Sequence, residues 1–297
     1  MNPIQQPLLS SAEINRLIAQ AGSGKQQQPQ SSKRFSQFGE QPSEVLGSGL
    51  DFADRRPYIA GDDPRFIDWR ASARSGQTLI RRYNTELNTP SCIVIDRRPS
   101  MAFGTRKRLK VTQALRAGIT LGTQILQGGD QLACLLLDSP AYWQAAQSGL
   151  SAFRQTIQIA ARACSPDSVS TSTASWNRIS NCIHSHLTQG SRLILISDFL
   201  DLDLSAQKAL RQLGQQFKLS ALQIIDPLEQ ELPTLNNISL HWGEQQQQIS
   251  TDLNQRQQLN QKLTQHRQQQ AQWFNKSNCK LLQLASNDEL DSLHGWH

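Results

Sequence analysis

Cysteine is scarce in this sequence and shows no pairing pattern. There are five residues, Cys92, Cys134, Cys164, Cys182 and Cys279, an odd number with no Cys-x-x-Cys. This argues against a disulfide framework and fits a reducing compartment, where buried Cys acts as a small hydrophobe. There is also no run of about 18 apolar residues, so no segment is expected to span a membrane. The opening Met1-Asn-Pro-Ile-Gln-Gln-Pro lacks the basic-then-apolar layout of a signal peptide. The expected location is cytoplasmic. Aromatics make up only 6% and are not interleaved with basic residues, which argues against a stacking surface for nucleic acid. No G-x-G-x-x-G or P-loop is present, so this chain is not expected to hydrolyse ATP itself. No nucleophile elbow accompanies a Ser-His-Asp set.

What is present is a polar, mildly basic globular composition: 297 residues, 37% hydrophobic, 18% charged and a formal charge of +6. The basic balance permits an acidic partner, a nucleic acid or peripheral attachment to a membrane surface, and selects none of them. Residues 1–46 read as a short helix, Ser10 to Ala21 with Ser10 or Ser11 as cap, followed by a Gln/Ser/Pro-rich linker. Residues 47–90 are dense in both charge signs and carry the turn Gly61-Asp62-Asp63-Pro64. They predict short strands and ion pairs. The two adjacent aspartates read either as part of a salt-bridge network with Arg55, Arg56, Arg65, Arg70 and Arg74, or as a metal cluster. The network suits five nearby arginines better.

From Ser91 onward, strand and helix patterns alternate, the signature of a mostly parallel α/β sheet flanked by helices. Residues 91–290 form this domain. It ends in a hairpin (Ile238–Trp242 with Gln246–Ser250), a Gln-rich helix from about Asp252 to Asn275, and a last strand, Lys280–Leu284. Two strands end in acids: Ser91-Cys-Ile-Val-Ile-Asp96 and Arg192-Leu-Ile-Leu-Ile-Ser197-Asp198. Open parallel sheets bind ligands beyond the carboxyl ends of the strands, where the strand order reverses. If the two strands are neighbours there, Asp96 and Asp198 face each other. Mg2+ would suit such a site, because it takes hard oxygen ligands. Asp96, Ser100 and Asp198 would supply part of the set, and Thr171 or Thr173, from a Ser/Thr-rich loop, another part.

Three stretches carry a family resemblance. One runs from Gly49 to Arg74 and includes Tyr58, Gly61, Asp62, Asp63, Arg65, Asp68, Trp69, Arg70 and Arg74. The second is Asp96 to Gly104. The third is Ser197-Asp198-Phe199 with Asp226-Pro227-Leu-Glu229 downstream. Together they resemble domain-of-unknown-function family 58, over about residues 45 to 290. The resemblance implies a von Willebrand factor A-like, Rossmannoid sheet with a small β-rich N-terminal extension. It also implies association with a MoxR-type AAA+ ATPase and other von Willebrand A-like proteins, in a non-enzymatic, chaperone-like assembly or maturation role. The metal-dependent adhesion motif of such domains is Asp-x-Ser-x-Ser. This chain has Asp96-Arg97-Arg98-Pro99-Ser100, with Arg98 where the first hydroxyl ligand belongs. Arginine offers a metal no acceptor and repels it.

Two readings of the departure follow. The Arg98 guanidinium replaces the metal, bridging Asp96 and Asp198 as a fixed cation; or Arg97 and Arg98 point to solvent and the site is vestigial. The cluster Arg106-Lys107-Arg108-Leu-Lys110 opens the next helix, expected from about Lys107 to Gln127, and is either a surface for an acidic partner or anion, or a set of side chains swung outward. His184 and His186 lie two apart and diverge on a helix, so they do not chelate one metal together. The expectation is therefore a cytoplasmic interaction module with a degenerate metal site, contacting its partner through Arg98, Arg106 and Lys107, with no certain cofactor and no nucleic acid. The alternative is a working divalent-cation site, with Mg2+ bound if Arg98 does not block it, or a metal-dependent hydrolase on the same carboxylates.

Overall fold

The structure, a computed structural model, describes residues 7–23, 51–59, 61–84, 89–105, 107–138, 140–163, 175–230, 238–242, 245–249, 264–265, 268–293 and 296. The chain divides into two compact units. One comprises Met1–Lys25 with Thr89–His297; the other is Gln26–Asn88.

The larger unit is built on a six-stranded sheet. Its strands are β3 (Ser91–Asp96), β4 (Leu132–Leu137), β5 (Tyr142–Gln147), β6 (Arg192–Ser197), β7 (Lys218–Ile225) and β10 (Lys280–Ala285), in the spatial order β10-β7-β6-β3-β4-β5. All neighbours pair in parallel except β4 with β5, which is antiparallel. The chain leaves β3 towards β4 on one side, then returns to place β6 on the other. The strand order therefore reverses between β3 and β6, the position where an open α/β sheet forms its crevice.

The strands are buried on both faces, which is why they read as continuous apolar runs rather than alternating ones. Alternate positions along each strand supply separate cores. Ile93, Ile95, Ile194 and Ile196 pack with α1 (Ser11–Ser23), α3 (Lys110–Gln127), α4 (Leu150–Ala160) and the C-terminal residues Leu290, Leu293 and Trp296. Cys92, Val94, Leu193 and Leu195 pack with α5 (Trp176–His186), α6 (Leu204–Gln216) and the helical residues 268–276 through Trp273 and Phe274. The result is a sheet between two helical layers. Helix α1 starts at the expected cap, where Ser10 Oγ accepts from the Glu13 amide at 3.2 Å. It buries Ile14, Leu17 and Ile18 in the first core.

Cys92, Cys134 and Cys279 are buried free thiols, and burial pushes Cys134 and Cys279 up to about 12. They pack as apolar groups. The histidines diverge as expected: the His184 ring meets Phe217 and the His186 ring meets Trp143. Helix α7 (Pro227–Gln230) follows β7, and β8 (Ile238–Trp242) and β9 (Gln245–Ile249) form the expected antiparallel hairpin. Of the Gln-rich helix expected from Asp252 to Asn275, residues 252–263 and 266–267 lie outside the described residues.

The smaller unit pairs β1 (Asp51–Pro57) with β2 (Leu79–Asn84) antiparallel, with the short helix α2 (Trp69–Ser75) between them. Its acids are held by arginines. Asp62 takes both terminal nitrogens of Arg56 at 2.7 Å, and Asp63 takes Arg65 at 2.7 Å. Buried Asp68 accepts from Arg55 at 2.9 Å, sits 3.2 Å from Arg81 Nε, and caps α2 through the Ala71 amide. Hydrogen bonds from these arginines hold Asp62, Asp63 and Asp68 below the usual carboxylate range. Gly61 has φ 112°, which only glycine adopts readily and which the tight Ile59–Asp62 turn requires. The network reading thus holds for Asp62, Asp63, Asp68, Arg55, Arg56 and Arg65. Arg70 and Arg74 are corrected: both are exposed on α2, and among the described residues neither forms an ion pair with those acids. Tyr58 is half-buried and Trp69 is 70% exposed.

Candidate functional site

Asp96 is the last residue of β3 and Asp198 follows the last residue of β6, so the two acids stand at adjacent strand ends on either side of the reversal point. Asp96 is fully buried and all its acceptor positions face donors of the chain. Its Oδ1 accepts from the Arg98 amide at 2.9 Å and from Arg98 Nε at 3.0 Å. Its Oδ2 accepts from Arg98 Nη2 at 2.7 Å and from Ser197 Oγ at 2.6 Å. Burial alone would raise this carboxyl, but the charge and hydrogen bonds of Arg98 outweigh burial and hold it below the usual range. The same guanidinium reaches Asp201, to which both terminal nitrogens donate, and lies 5.4 Å from the Trp176 ring centroid. Trp176 Nε1 also donates to Asp201, at 3.0 Å.

Asp198 has a different cation. Lys110 Nζ donates to its Oδ2 at 2.8 Å and to Glu229 Oε1 at 2.7 Å. Ser100 Oγ and the Leu200 amide donate to the other oxygen, both at 3.3 Å. The Lys110 side chain is 1% exposed. Burial would depress its ammonium, but Asp198 and Glu229 overcome this and raise its pKa. The helix begins at Lys110 rather than at Lys107, with Leu109 in the cap position and no side-chain cap. A cation in the first turn of a helix is unfavourable by ~0.3–1 kcal/mol. Two carboxylates compensate this one. The loop before it is pinned by buried Asp226, which accepts from the Thr105 amide at 2.9 Å, from Thr105 Oγ1 and from Ser286 Oγ at 3.3 Å. The Lys110 amide closes the loop on Phe103 O at 2.8 Å.

Several expectations therefore change. Arg98 serves Asp96, but its second acid is Asp201; Asp198 belongs to Lys110. Arg97 and Arg98 do not point to solvent. Arg97 is buried the other way, donating to Asp138 at 2.6 Å and to Arg162 O at 2.8 Å. As a buried group with both of its acids inside the chain, Arg98 does not present itself to a partner, which corrects the partner-binding role expected of it. Lys107 is exposed, as that role requires. Arg106, Thr171 and Thr173 lie outside the described residues. Ser100 does meet Asp198, as a hydrogen-bond donor.

The residues present do not fit a divalent cation. Arg98 donates to both oxygens of Asp96, and the Lys110 ammonium sits where a cation on Asp198 would go. Among the described residues no three His, Cys, Asp or Glu side chains are grouped to hold a metal. Sequence reasoning placed Lys110 in a basic surface cluster rather than on Asp198 and Glu229, and missed Asp201. Seven cations and acids crowd residues 96–110 and five acids crowd 198–229, and no spacing rule assigns partners among them. The one available signal was a lysine directly preceding the apolar stripe of α3, where a cation is disfavoured.

Comparison with known proteins adds a family. The model described as "Protein of unknown function DUF58" matches residues 54–272, most of the chain. Uncharacterized protein Mb1516 of Mycobacterium bovis and uncharacterized protein Rv1480 of Mycobacterium tuberculosis are each 23% identical over 201 residues, 67% of this chain. The chain spans 62% of the length of these relatives. Among solved structures, the conserved hypothetical protein BatB of Bacteroides thetaiotaomicron aligns with TM-score 0.41 at 12% identity, over 67% of this chain and 91% of its own. An aerotolerance-related membrane protein of Bacteroides fragilis aligns with TM-score 0.43 at 13% identity, over 69% and 94%.

Proposed function

The chain belongs to the DUF58 family, and from this we propose that it is a non-enzymatic protein-interaction module. In this reading its sheet is a von Willebrand A-like one whose metal site has been replaced by two internal cations. One observation carries the proposal: each carboxylate at the reversal point is neutralised by a buried cation of the same chain, Arg98 on Asp96 and Lys110 on Asp198. A metal-dependent adhesion site recognises its ligand through an open coordination position. A face closed by ion pairs instead recognises a partner by shape and by the groups at its rim. Here the rim offers Leu204, 72% exposed at the start of α6, the outer side of half-exposed Asp201, and exposed Lys107. The partner is a MoxR-type AAA+ ATPase, on the strength of the family resemblance, and the setting is cytoplasmic. Among the described residues no helix is long and apolar enough to cross a membrane.

Two measurements test this. Calorimetric titration with Mg2+ or Mn2+ should show no saturable binding. Tight binding that Asp96→Ala abolishes would reject the internal-cation reading and restore the divalent-cation or hydrolase alternative. Leu204→Asp and Lys107→Glu should each weaken capture of the cognate ATPase about ten-fold, roughly 1.4 kcal/mol, without shifting the melting temperature. Undiminished capture by both variants would show that the partner uses another face.

A further inference from the structure

Among the described residues other than glycine, Phe199 and Asn278 alone have positive φ, 55° and 50°. Asparagine tolerates the left-handed region, whereas a bulky aromatic residue adopts it only when its surroundings compel it. Phe199 sits between Asp198 and Asp201, the acids that receive Lys110 and Arg98. Its backbone is held on every side by side chains. Its amide donates to Ser197 Oγ at 3.0 Å, and the next amide donates to Asp198 Oδ1 at 3.3 Å. The carbonyls are met by two buried glutamines. Gln223 Nε2 donates to Asp198 O at 3.2 Å, and Gln270 Nε2 donates to Phe199 O at 2.7 Å. The glutamines are themselves joined: Gln223 Nε2 donates to Gln270 Oε1 at 3.0 Å, and Gln283 Nε2 donates to Gln223 Oε1 at 3.0 Å. The Phe199 ring lies between Trp176, stacked at 5.6 Å, and Phe274, edge-on at 4.9 Å.

Gln270 and Phe274 are four residues apart on the helical residues 268–276, so they share one face of that helix. One brings a hydrogen bond and the other a ring to the same strained residue. A buried carbonyl left without a donor is costly, and a left-handed aromatic residue has an extended alternative. We infer that the helix at 268–276 is a regulatory arm of the strand-end face. Seated, it locks Phe199 in the left-handed conformation and keeps Asp201 on Arg98. Lifted by a partner or effector, it lets Phe199 revert to an extended conformation, and the segment 198–201 moves away from Arg98. The inference deepens the interaction-module reading and rests on it for its biological meaning, but the coupling is a property of the chain alone.

Hydrogen-exchange mass spectrometry on the full chain tests the coupling without any partner. Gln270→Ala should speed exchange in the peptide containing the Phe199 and Leu200 amides by about ten-fold, while α3 and β4 keep their wild-type protection. Coupling is reciprocal, so Asp201→Asn should speed exchange across residues 268–276 by a similar factor. Phe274→Leu, which keeps an apolar side chain in the core, repeats the test if Gln270→Ala fails to fold. Unchanged exchange at Phe199 and Leu200, or a uniform rise throughout the chain, overturns the inference, because either result makes the helix a packing element only. That outcome would leave the capture experiment with Leu204→Asp untouched. Capture undiminished by Leu204→Asp and Lys107→Glu, with the coupling intact, would instead discard the role of the face.

Discussion

Lys110 has an ammonium 1% exposed to solvent between two carboxylates, on the first residue of a helix. Removing one partner of a buried pair leaves the other charged and desolvated, which costs about 3–5 kcal/mol. Lys110→Met should therefore lower unfolding free energy by about that amount in urea denaturation. Adding Asp198→Leu should recover most of it, since a buried pair exchanged for apolar groups is often neutral. A loss under about 1 kcal/mol would mean that water reaches Asp198. Asp96 gives a pH signature. Its carboxyl is depressed in the folded chain, so its stabilisation is complete above the unfolded value, about 4, and is lost as pH falls through the lower folded value. The stability gap between wild type and Asp96→Asn should be constant from neutral pH to about 4 and shrink below it. A gap that persists unchanged well below pH ~3 would contradict the assignment. At this scale the sequence was ambiguous. It named Asp96 and Asp198 as the strand-end acids, but Arg98 and Lys110 could not be matched to Asp96, Asp198, Asp201 and Glu229 without coordinates.

The elements themselves were easier to read. Apolar runs of β length, alternating with helical spacing from Ser91 onward, gave the parallel sheet, because strands covered on both faces carry few polar residues. Boundaries slipped where polar contacts set them: α3 begins at Lys110, three residues later than its cationic run suggested, because Lys110 turns inward. Some close approaches between elements left no pattern in the sequence. Gly214 on α6 is one. A Cβ built there would lie 1.8 Å from the carbonyl oxygen of Ser277, just past the helical residues 268–276. In an open helix Gly→Ala stabilises by up to about 1 kcal/mol. Here the obstacle is backbone, which cannot swing aside. Gly214→Ala should destabilise by about 1–3 kcal/mol, the usual range for overpacking, as read by thermal melting. A rise in melting temperature would show that α6 and the C-terminal segment are not in contact.

At the scale of the whole molecule, the unit Gln26–Asn88 interrupts a larger unit whose first helix, α1, packs against α3 through Leu17 and Ile18. The larger unit draws both its cores from residues outside the insertion. Replacing residues 26–88 with a flexible Gly/Ser linker long enough to rejoin α1 to β3 should leave a cooperative unfolding transition within a few degrees of wild type, near the ~2–4 °C that 1 kcal/mol represents for a protein of this size. Loss of cooperativity would mean that the insertion contributes to the core. By itself the sequence determined the α/β class, the two acidic strand ends and a cation, Arg98, two residues after Asp96, because periodicity and local spacing are properties of the chain itself. The tertiary structure alone decided that Lys110 neutralises Asp198, that Arg98 turns to Asp201, and that Gln270 holds Phe199. Each of these joins groups distant in the chain, and when many like charges are available, only the packed geometry selects which of them meet.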